Sequence, residues 1–375
     1  MSGEIKGEYA LAGVDYSILQ GFKDLMVEMG KKTLNFPNFR GVYVQNIRHS
    51  HGVVFDYLGP RKHRWCNTTE GLGNKNWIAE WMYQYAGTGR TYYEGIGIDM
   101  LLMAVNDVIA QGAMPAVYTD EVAAGDGEWF LDEHRARDFA DSLLNGLMAD
   151  GIALPAGETP ALKHLINSTP PVISAPSLSG TITGIIAPRS RLITGEELQP
   201  GDHILGVASS GIHANGISLV IKRALDLPDQ FLTKLPNGQM LGEEALIPTT
   251  SYVHLVEALL DEAVQIHALL PGTGDGIAKL AFDKRPFTYR VHSWVQEIPP
   301  LFLFMQELGV SLIDCLTTFN WGIGYYIFLP ENEVERAIQI GTNAGYEILE
   351  VGRVEEGERQ TIFEPAGLTL PPPGD

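Results

Sequence analysis

The stretch Ile204-Leu205-Gly206-Val207-Ala208-Ser209-Ser210-Gly211-Ile212-His213-Ala214-Asn215-Gly216-Ile217-Ser218-Leu219-Val220-Ile221-Lys222 decides how this chain is read. A short apolar run opens it, a loop of small polar residues follows, and apolar residues at helical spacing close it. Strand, loop and helix in that order form the local unit of an α/β fold. The same order turns loop N–H groups and a helix N-terminus outwards, which suits an anion. His213 and Asn215 are candidates to orient a phosphate or move a proton, with Ser210 and Gly211 shaping the loop around it. An ordinary capped turn would explain the geometry, but not a stretch so rich in Ser, Gly, His and Asn.

Working outward, helical periodicity is expected over Ile18–Met29, Ile98–Gln111, Phe130–Ala149, Val220–Leu227 and Ser251–Leu269. Strands are expected over Gly41–Val44, Val53–Tyr57, Ala116–Val122, Ser179–Ala187, His203–Ser209, Tyr325–Leu329 and Tyr346–Val351. The alternation predicts α/β or α+β layers. Pro188–Gly201 is polar and turn-rich, so two domains are expected, 1–190 and 191–375.

Composition narrows the class. The chain has 375 residues, with 26 Lys+Arg against 46 Asp+Glu, a formal charge of −20. Such a surface repels phosphate backbones and argues against nucleic acid, but not against a single nucleotide held locally or through a metal. Hydrophobic residues make up 45% and charged residues 19%, which is globular and not disordered. The 41 glycines, roughly 11% against a typical ~7%, call for many tight turns or close approaches to a ligand. Cys66 and Cys315 show no metal-ligand spacing, no long apolar run suggests a membrane span, and the N-terminus lacks an apolar signal region. A cytoplasmic protein is expected.

Walker A, dinucleotide-binding, kinase, zinc-protease and nucleophile-elbow signatures are absent from the sequence. What remains is a set of carboxylates beside glycines. Asp99 follows Gly95-Ile96-Gly97-Ile98, and Asp107 follows Asn106. On one helix these two carboxylates lie roughly 80° apart in rotation and about 12 Å apart along the axis. That is too far for one metal but suits two Mg²⁺ ions along a triphosphate, and carboxylates on so apolar a helix need a partner. In Thr68-Thr69-Glu70-Gly71-Leu72-Gly73-Asn74-Lys75 the glycines Gly71 and Gly73 let N–H groups converge in a loop. Lys75 could neutralise a phosphate oxygen there, and Glu70 could bind Mg²⁺. Gly157-Glu158-Thr159 presents a carboxylate on a tight turn, and Pro271-Gly272-Thr273-Gly274-Asp275-Gly276 offers Asp275 as a metal ligand. Thr317–Gly324 reads either as a packing turn or as part of the site.

Taken in order, these motifs resemble the aminoimidazole ribonucleotide synthetase (phosphoribosylformylglycinamidine cyclo-ligase) family. The series runs Tyr9-Ala10-Leu11-Ala12-Gly13-Val14-Asp15, Thr69–Lys75, Gly97-Ile98-Asp99 with Asn106-Asp107, Gly157-Glu158-Thr159, Ser209–Gly216, Pro248-Thr249 and Phe319–Gly324. The wider superfamily includes thiamine-monophosphate kinase and selenophosphate synthetase. The resemblance implies two α/β domains, with N-terminal domains of a homodimer pairing into a β-barrel and the C-terminal domain an α/β sandwich. It implies an ATP- and Mg²⁺-dependent ring closure of a phosphoribosyl amidine. His213, Lys75 and Asn215 would be catalytic. Glu70, Gly71, Gly73, Asp99, Asn106, Ser210 and Gly211 would bind the nucleotide, and Asp107, Glu158 and Asp275 the metal.

The sequence departs from that pattern in places. The family's Thr-Asp-Gly-Val-Gly-Thr-Lys is Thr-Glu-Gly-Leu-Gly-Asn-Lys here, so Glu70 reaches one methylene further. A Gly-rich stretch after the first helix is replaced by Asn38-Phe39-Arg40-Gly41-Val42-Tyr43, and Asp275-Gly276 looks more like the related kinases. A paralogous small-molecule kinase and a non-catalytic nucleotide-binding subunit are therefore the alternatives.

Overall fold

A computed structural model describes residues 16–47 and 52–374; the motif Tyr9–Asp15 lies outside the described residues. The chain divides into two compact units. The first runs to Pro60 and takes in Asn67–Ala104 and Pro115–Thr183; the second takes in Arg61–Cys66, Val105–Met114 and everything from Gly184.

The first unit begins with helix α1 (Tyr16–Thr33) and the antiparallel hairpin β1 (Val42–Val44) and β2 (Phe55–Tyr57). Then come β3 (Arg64–Gly71), α2 (Lys75–Tyr85), α3 (Ile96–Val108), β4 (Met114–Ala123), α4 (Glu133–Asp150), β5 (Ala153–Glu158) and β6 (Ser177–Ile186). The last four strands form an open sheet in the order β3-β6-β4-β5, with β4 and β5 parallel. Helix α4 starts at Asp132, whose carboxylate accepts the Arg135 N–H at 2.9 Å, and stops at Gly151 with φ 68°.

Helix α1 is held to β5 by two devices. At Gly30 a Cβ would sit 2.5 Å from the Leu154 carbonyl oxygen, so only glycine lets the helix come this close. Thr33 Oγ1 donates to the Gly30 carbonyl and accepts the Leu154 N–H, both at 2.7 Å. On its inner face Phe22 meets Trp129 and Phe130 edge-on, with ring centroids 5.9 and 5.1 Å away. Full burial of one such ring contributes about 1.5–3 kcal/mol.

The second unit contains β7 (His203–Ala208), α5 (Ile217–Leu225), α6 (Leu241–Ala245), α7 (Val253–Asp261), β8 (Ala268–Pro271) and β9 (Phe287–Val291). It continues with α8 (Pro300–Glu307), α9 (Leu312–Thr318), β10 (Ile323–Leu329), α10 (Val334–Asn343), β11 (Ile348–Glu356), β12 (Gln360–Phe363) and β13 (Leu368–Leu370). Its strands form one open sheet in the order β13-β12-β9-β11-β7-β10-β8. Strand β10 is buried along its whole length, as its unbroken apolar sequence requires.

The α/β reading holds for both units, with three local corrections. The expected helix Ser251–Leu269 ends at Asp261, because Ala263 turns into the left-handed region with φ 52°, and Leu269 belongs to β8. The expected loop before Lys75 is a strand that runs to Gly71 and a short turn. Glu158 closes strand β5 and is not on a free-standing turn. Among the described residues, no helix is long and apolar enough to cross a membrane.

Candidate active site

In the first unit, the turn from β3 into α2 is fixed from below. Lys75 Nζ lies 2.9 Å from both carboxylate oxygens of Asp99, and neither side chain has any exposed surface. Burial pulls the Lys75 ammonium below its usual range, and Asp99 partly restores it. Lys75 thus does not reach out to a phosphate as the sequence suggests. The pair instead anchors a turn that presents Gly71 and Gly73 to solvent, Gly73 in the left-handed region with φ 72°. Glu70 is half-buried at the end of β3.

The same unit holds a cavity of about 570 Å³, a size suited to a nucleotide or a sugar phosphate. Lys23, Met26, Val27, Gly30 and Lys31 form one wall, a single face of α1 at spacings of three and four. Leu154–Thr159 form another, so exposed Glu158 is at this cavity. Asp120 also lines it, a residue that the sequence reading passed over. It pairs in register with Gly157, where a Cβ would lie 1.9 Å from Asp120 Oδ1. Burial pushes the Asp120 carboxyl up to about 7. Its sequence signal is faint: an acid in mid-strand, between Thr119 and Glu121, with no motif around it.

In the second unit, three loops that are far apart in sequence converge. Asn320 is the strut. Its Nδ2 donates to the Gly211 carbonyl at 2.8 Å, and its Oδ1 accepts Ser209 Oγ at 3.2 Å and the Gly322 N–H at 3.0 Å. The Gly272 N–H donates to the Gly324 carbonyl at 2.9 Å, bringing in the loop that carries exposed Asp275. At Gly324 a Cβ would fall 2.0 Å from Tyr252 Oη and 2.6 Å from His213 Cε1, so this glycine admits both rings.

His213 is only 2% exposed and sits at φ 58°. Its Nε2 accepts the Thr250 N–H at a long 3.5 Å. Ser210 is exposed and donates to the Pro248 carbonyl at 2.6 Å. Asn215 Nδ2 is buried with no hydrogen-bond partner among the described residues. A buried donor left open beside glycines fits an anion that completes it.

Asp99, Asn106 and Asp107 all lie on α3, as their spacing predicts. Asn106 is engaged at both ends: Nδ2 donates to the Thr250 carbonyl at 2.9 Å and Oδ1 accepts the Tyr252 N–H at 3.1 Å. Asn106 therefore shapes the Thr250–Tyr252 segment that contacts His213. Asp107 is near Tyr325, whose phenol is driven well up, first by burial and then by the Asp107 charge. Tyr325 in turn packs on Tyr252 at 5.0 Å, and Tyr252 on His213 at 6.2 Å. Asn106, Asp107, Ser210, Gly211 and His213 are thereby brought into one neighbourhood.

No group of three or more His, Cys, Asp or Glu forms a ready metal cage among the described residues. Mg²⁺ is usually bound through one or two carboxylates and the substrate's own phosphates. Asp107, Glu158 and Asp275 offer the hard oxygen donors it takes.

Comparison with known proteins agrees along the chain. The AIR synthase related protein N-terminal domain matches residues 52–186, and the C-terminal domain of the same family matches residues 199–364. The phosphoribosylformylglycinamidine cyclo-ligase of Pyrococcus horikoshii is 32% identical over 362 residues, 96% of this chain and 99% of that protein. The cyclo-ligase of Thermococcus gammatolerans is 34% identical, covering 92% and 95%. Among solved structures, hydrogenase maturation protein HypE in complex with ATP aligns with a TM-score of 0.60 at 19% identity, covering 86% of this chain and 87% of that one. Thiamine-monophosphate kinase from Stenotrophomonas maltophilia aligns at 0.56 and 16% identity, covering 84% and 89%. These last two likenesses are of fold alone. The chain belongs to the AIR synthase related family, in the company of the phosphoribosylformylglycinamidine cyclo-ligases.

Proposed function

We propose that the chain is an ATP-dependent phosphoribosylformylglycinamidine cyclo-ligase of purine biosynthesis. The observation that carries this is the end-to-end match to curated cyclo-ligases, 96% of this chain against 99% of the Pyrococcus horikoshii enzyme. In the reaction, ATP phosphorylates the formyl amide oxygen of formylglycinamidine ribonucleotide. A substrate nitrogen then attacks that carbon, phosphate leaves, and the imidazole ring closes.

The chain's residues suit these steps. The glycine-lined loop at Ser210 and Gly211, with the open Asn215 amide, offers donors to phosphoryl oxygens. His213, enclosed beside Tyr252 and Gly324, is the proton carrier in this reading. Glu70, Gly71 and Gly73 present a carboxylate and exposed glycine backbone at the turn, which Lys75 and Asp99 hold in shape. Glu158 in the first unit, and Asp107 and Asp275 in the second, are each proposed as carboxylate ligands for Mg²⁺, which neutralises triphosphate charge when bound.

The N-terminal half (1–190) carries ATP and dimerisation in this reading, the C-terminal half (191–375) the Ser210–Asn215 loop. Edge strand β3 supports pairing of two copies through their N-terminal sheets into a β-barrel. The cytoplasm is the proposed location.

The test is phosphate release from ATP–Mg²⁺ by purified chain, with and without formylglycinamidine ribonucleotide. Substrate-dependent release with formation of aminoimidazole ribonucleotide supports the assignment. A phosphorylated acceptor in place of free phosphate would move it to a small-molecule kinase, and ATP binding with no turnover to a non-catalytic subunit.

A further inference from the structure

The cavity of the first unit contains a buried carboxylate, Asp120. Asp120 is 8% exposed, and no positive group offsets its burial among the described residues. Yet the fold goes out of its way to keep it there. Residue 157 carries no side chain, and a Cβ in its place would collide with Asp120 Oδ1 at 1.9 Å. The carboxylate lies near the C-terminal ends of two parallel strands, where α/β sheets commonly bind ligands. A buried carboxylate without a partner is costly, and a cationic ligand would relieve that cost.

The proposed substrate has such a group. An amidine is a strong base, protonated at neutral pH, and its two N–H groups match a carboxylate's two oxygens as a guanidinium does. We propose that Asp120 binds the amidine of the substrate and makes the cavity selective for an amidine over the corresponding amide. This rests on the cyclo-ligase reading. Lys23 and Lys31, on the α1 wall, leave the cavity with positive charge for the phosphate of the same molecule. The amide analogue is neutral at this position, so it would leave Asp120 buried and unpaired, and it would be rejected.

The experiment uses the full chain with ATP–Mg²⁺. It measures kcat and KM for formylglycinamidine ribonucleotide, and the inhibition constant of formylglycinamide ribonucleotide, the amide. Wild-type chain should hold the amidine about 10- to 100-fold more tightly than the amide. Asp120→Asn should raise the amidine KM by a similar factor and lower the amide's inhibition constant, while leaving the ATP KM in place. Gly157→Ala, which keeps Asp120 but displaces its carboxylate, should move the same constant in the same direction; melting curves verify that both variants fold. Equal weakening of amidine and amide would reduce Asp120 to a structural role and overturn the proposal, as would an unchanged amidine KM. A raised Mg²⁺ requirement without loss of amidine preference would reassign Asp120 to a metal and also overturn it. If wild-type chain turns over no amidine, the cyclo-ligase reading fails first and takes this proposal with it.

Discussion

Lys75 and Asp99 form an ion pair at 2.9 Å with no exposed surface on either side chain, joining the start of α2 to the first turn of α3. Removing one partner leaves a buried charge, whereas removing both leaves only a packing defect. Lys75→Met or Asp99→Asn should each destabilise by about 3–5 kcal/mol, and Lys75→Met with Asp99→Leu should recover much of that loss. Urea unfolding of the three variants checks this. Additive losses in the double variant would show that the pair is not coupled.

Asp120 predicts a pH dependence of stability. Its folded value is about 7 against an ordinary 3.8, so the native chain holds a proton that the unfolded chain has lost between those limits. Stability therefore falls as pH rises from about 4 to about 7, by up to ~4 kcal/mol, and this contribution is flat outside that window. Asp120→Asn removes it. The variant should match wild type near pH 4 and exceed it at pH 8, as read from melting temperatures without ligand.

Gly324→Ala should force a Cβ into Tyr252 and His213. Overpacking of this kind costs about 1–3 kcal/mol. Turnover should drop more than stability suggests, because the displaced ring is the proposed proton carrier. Steady-state rates beside a melting curve separate the two effects, and full activity would show that His213 need not be held so closely.

Asp107→Asn and His213→Ala should fail in different ways. The first should abolish ATP–Mg²⁺ binding while the chain stays folded, as measured by nucleotide titration. The second should slow turnover far more than it weakens ATP. Unchanged nucleotide affinity in Asp107→Asn would remove Asp107 from the metal site, and unchanged kinetics in His213→Ala would leave that loop a purely structural one.

Periodicity exposed the parts of the molecule whose burial has a clear pattern. Strand β10 and helix α3 are nearly all apolar, and both lie where expected. Thr68–Gly71, the polar end of β3, reads as part of a loop because it shows no apolar alternation; pairing with β6, a partner remote in sequence, makes it strand. The end of α7 was missed because Ala263, not glycine, adopts the left-handed turn. Motif order brought forward Asp107, Ser210 and His213. It could not reveal that Lys75 and Asp99 pair, nor that Asn320 ties its own loop to the Ser209–Gly211 loop, since those contacts span 24 to 111 residues. Asp120 escaped for a related reason: its significance comes from a cavity wall built by α1 and β5.

The contact between residue 157 and Asp120 also links two positions in evolution. With Asp120 present, any side chain at 157 meets its oxygen, so a mutation there is tolerated only after the acid has gone. Relatives that have lost the carboxylate are free to diversify at 157, and those that keep it are held to glycine. Aligned homologues should therefore show the two sites changing together, with the acid lost first.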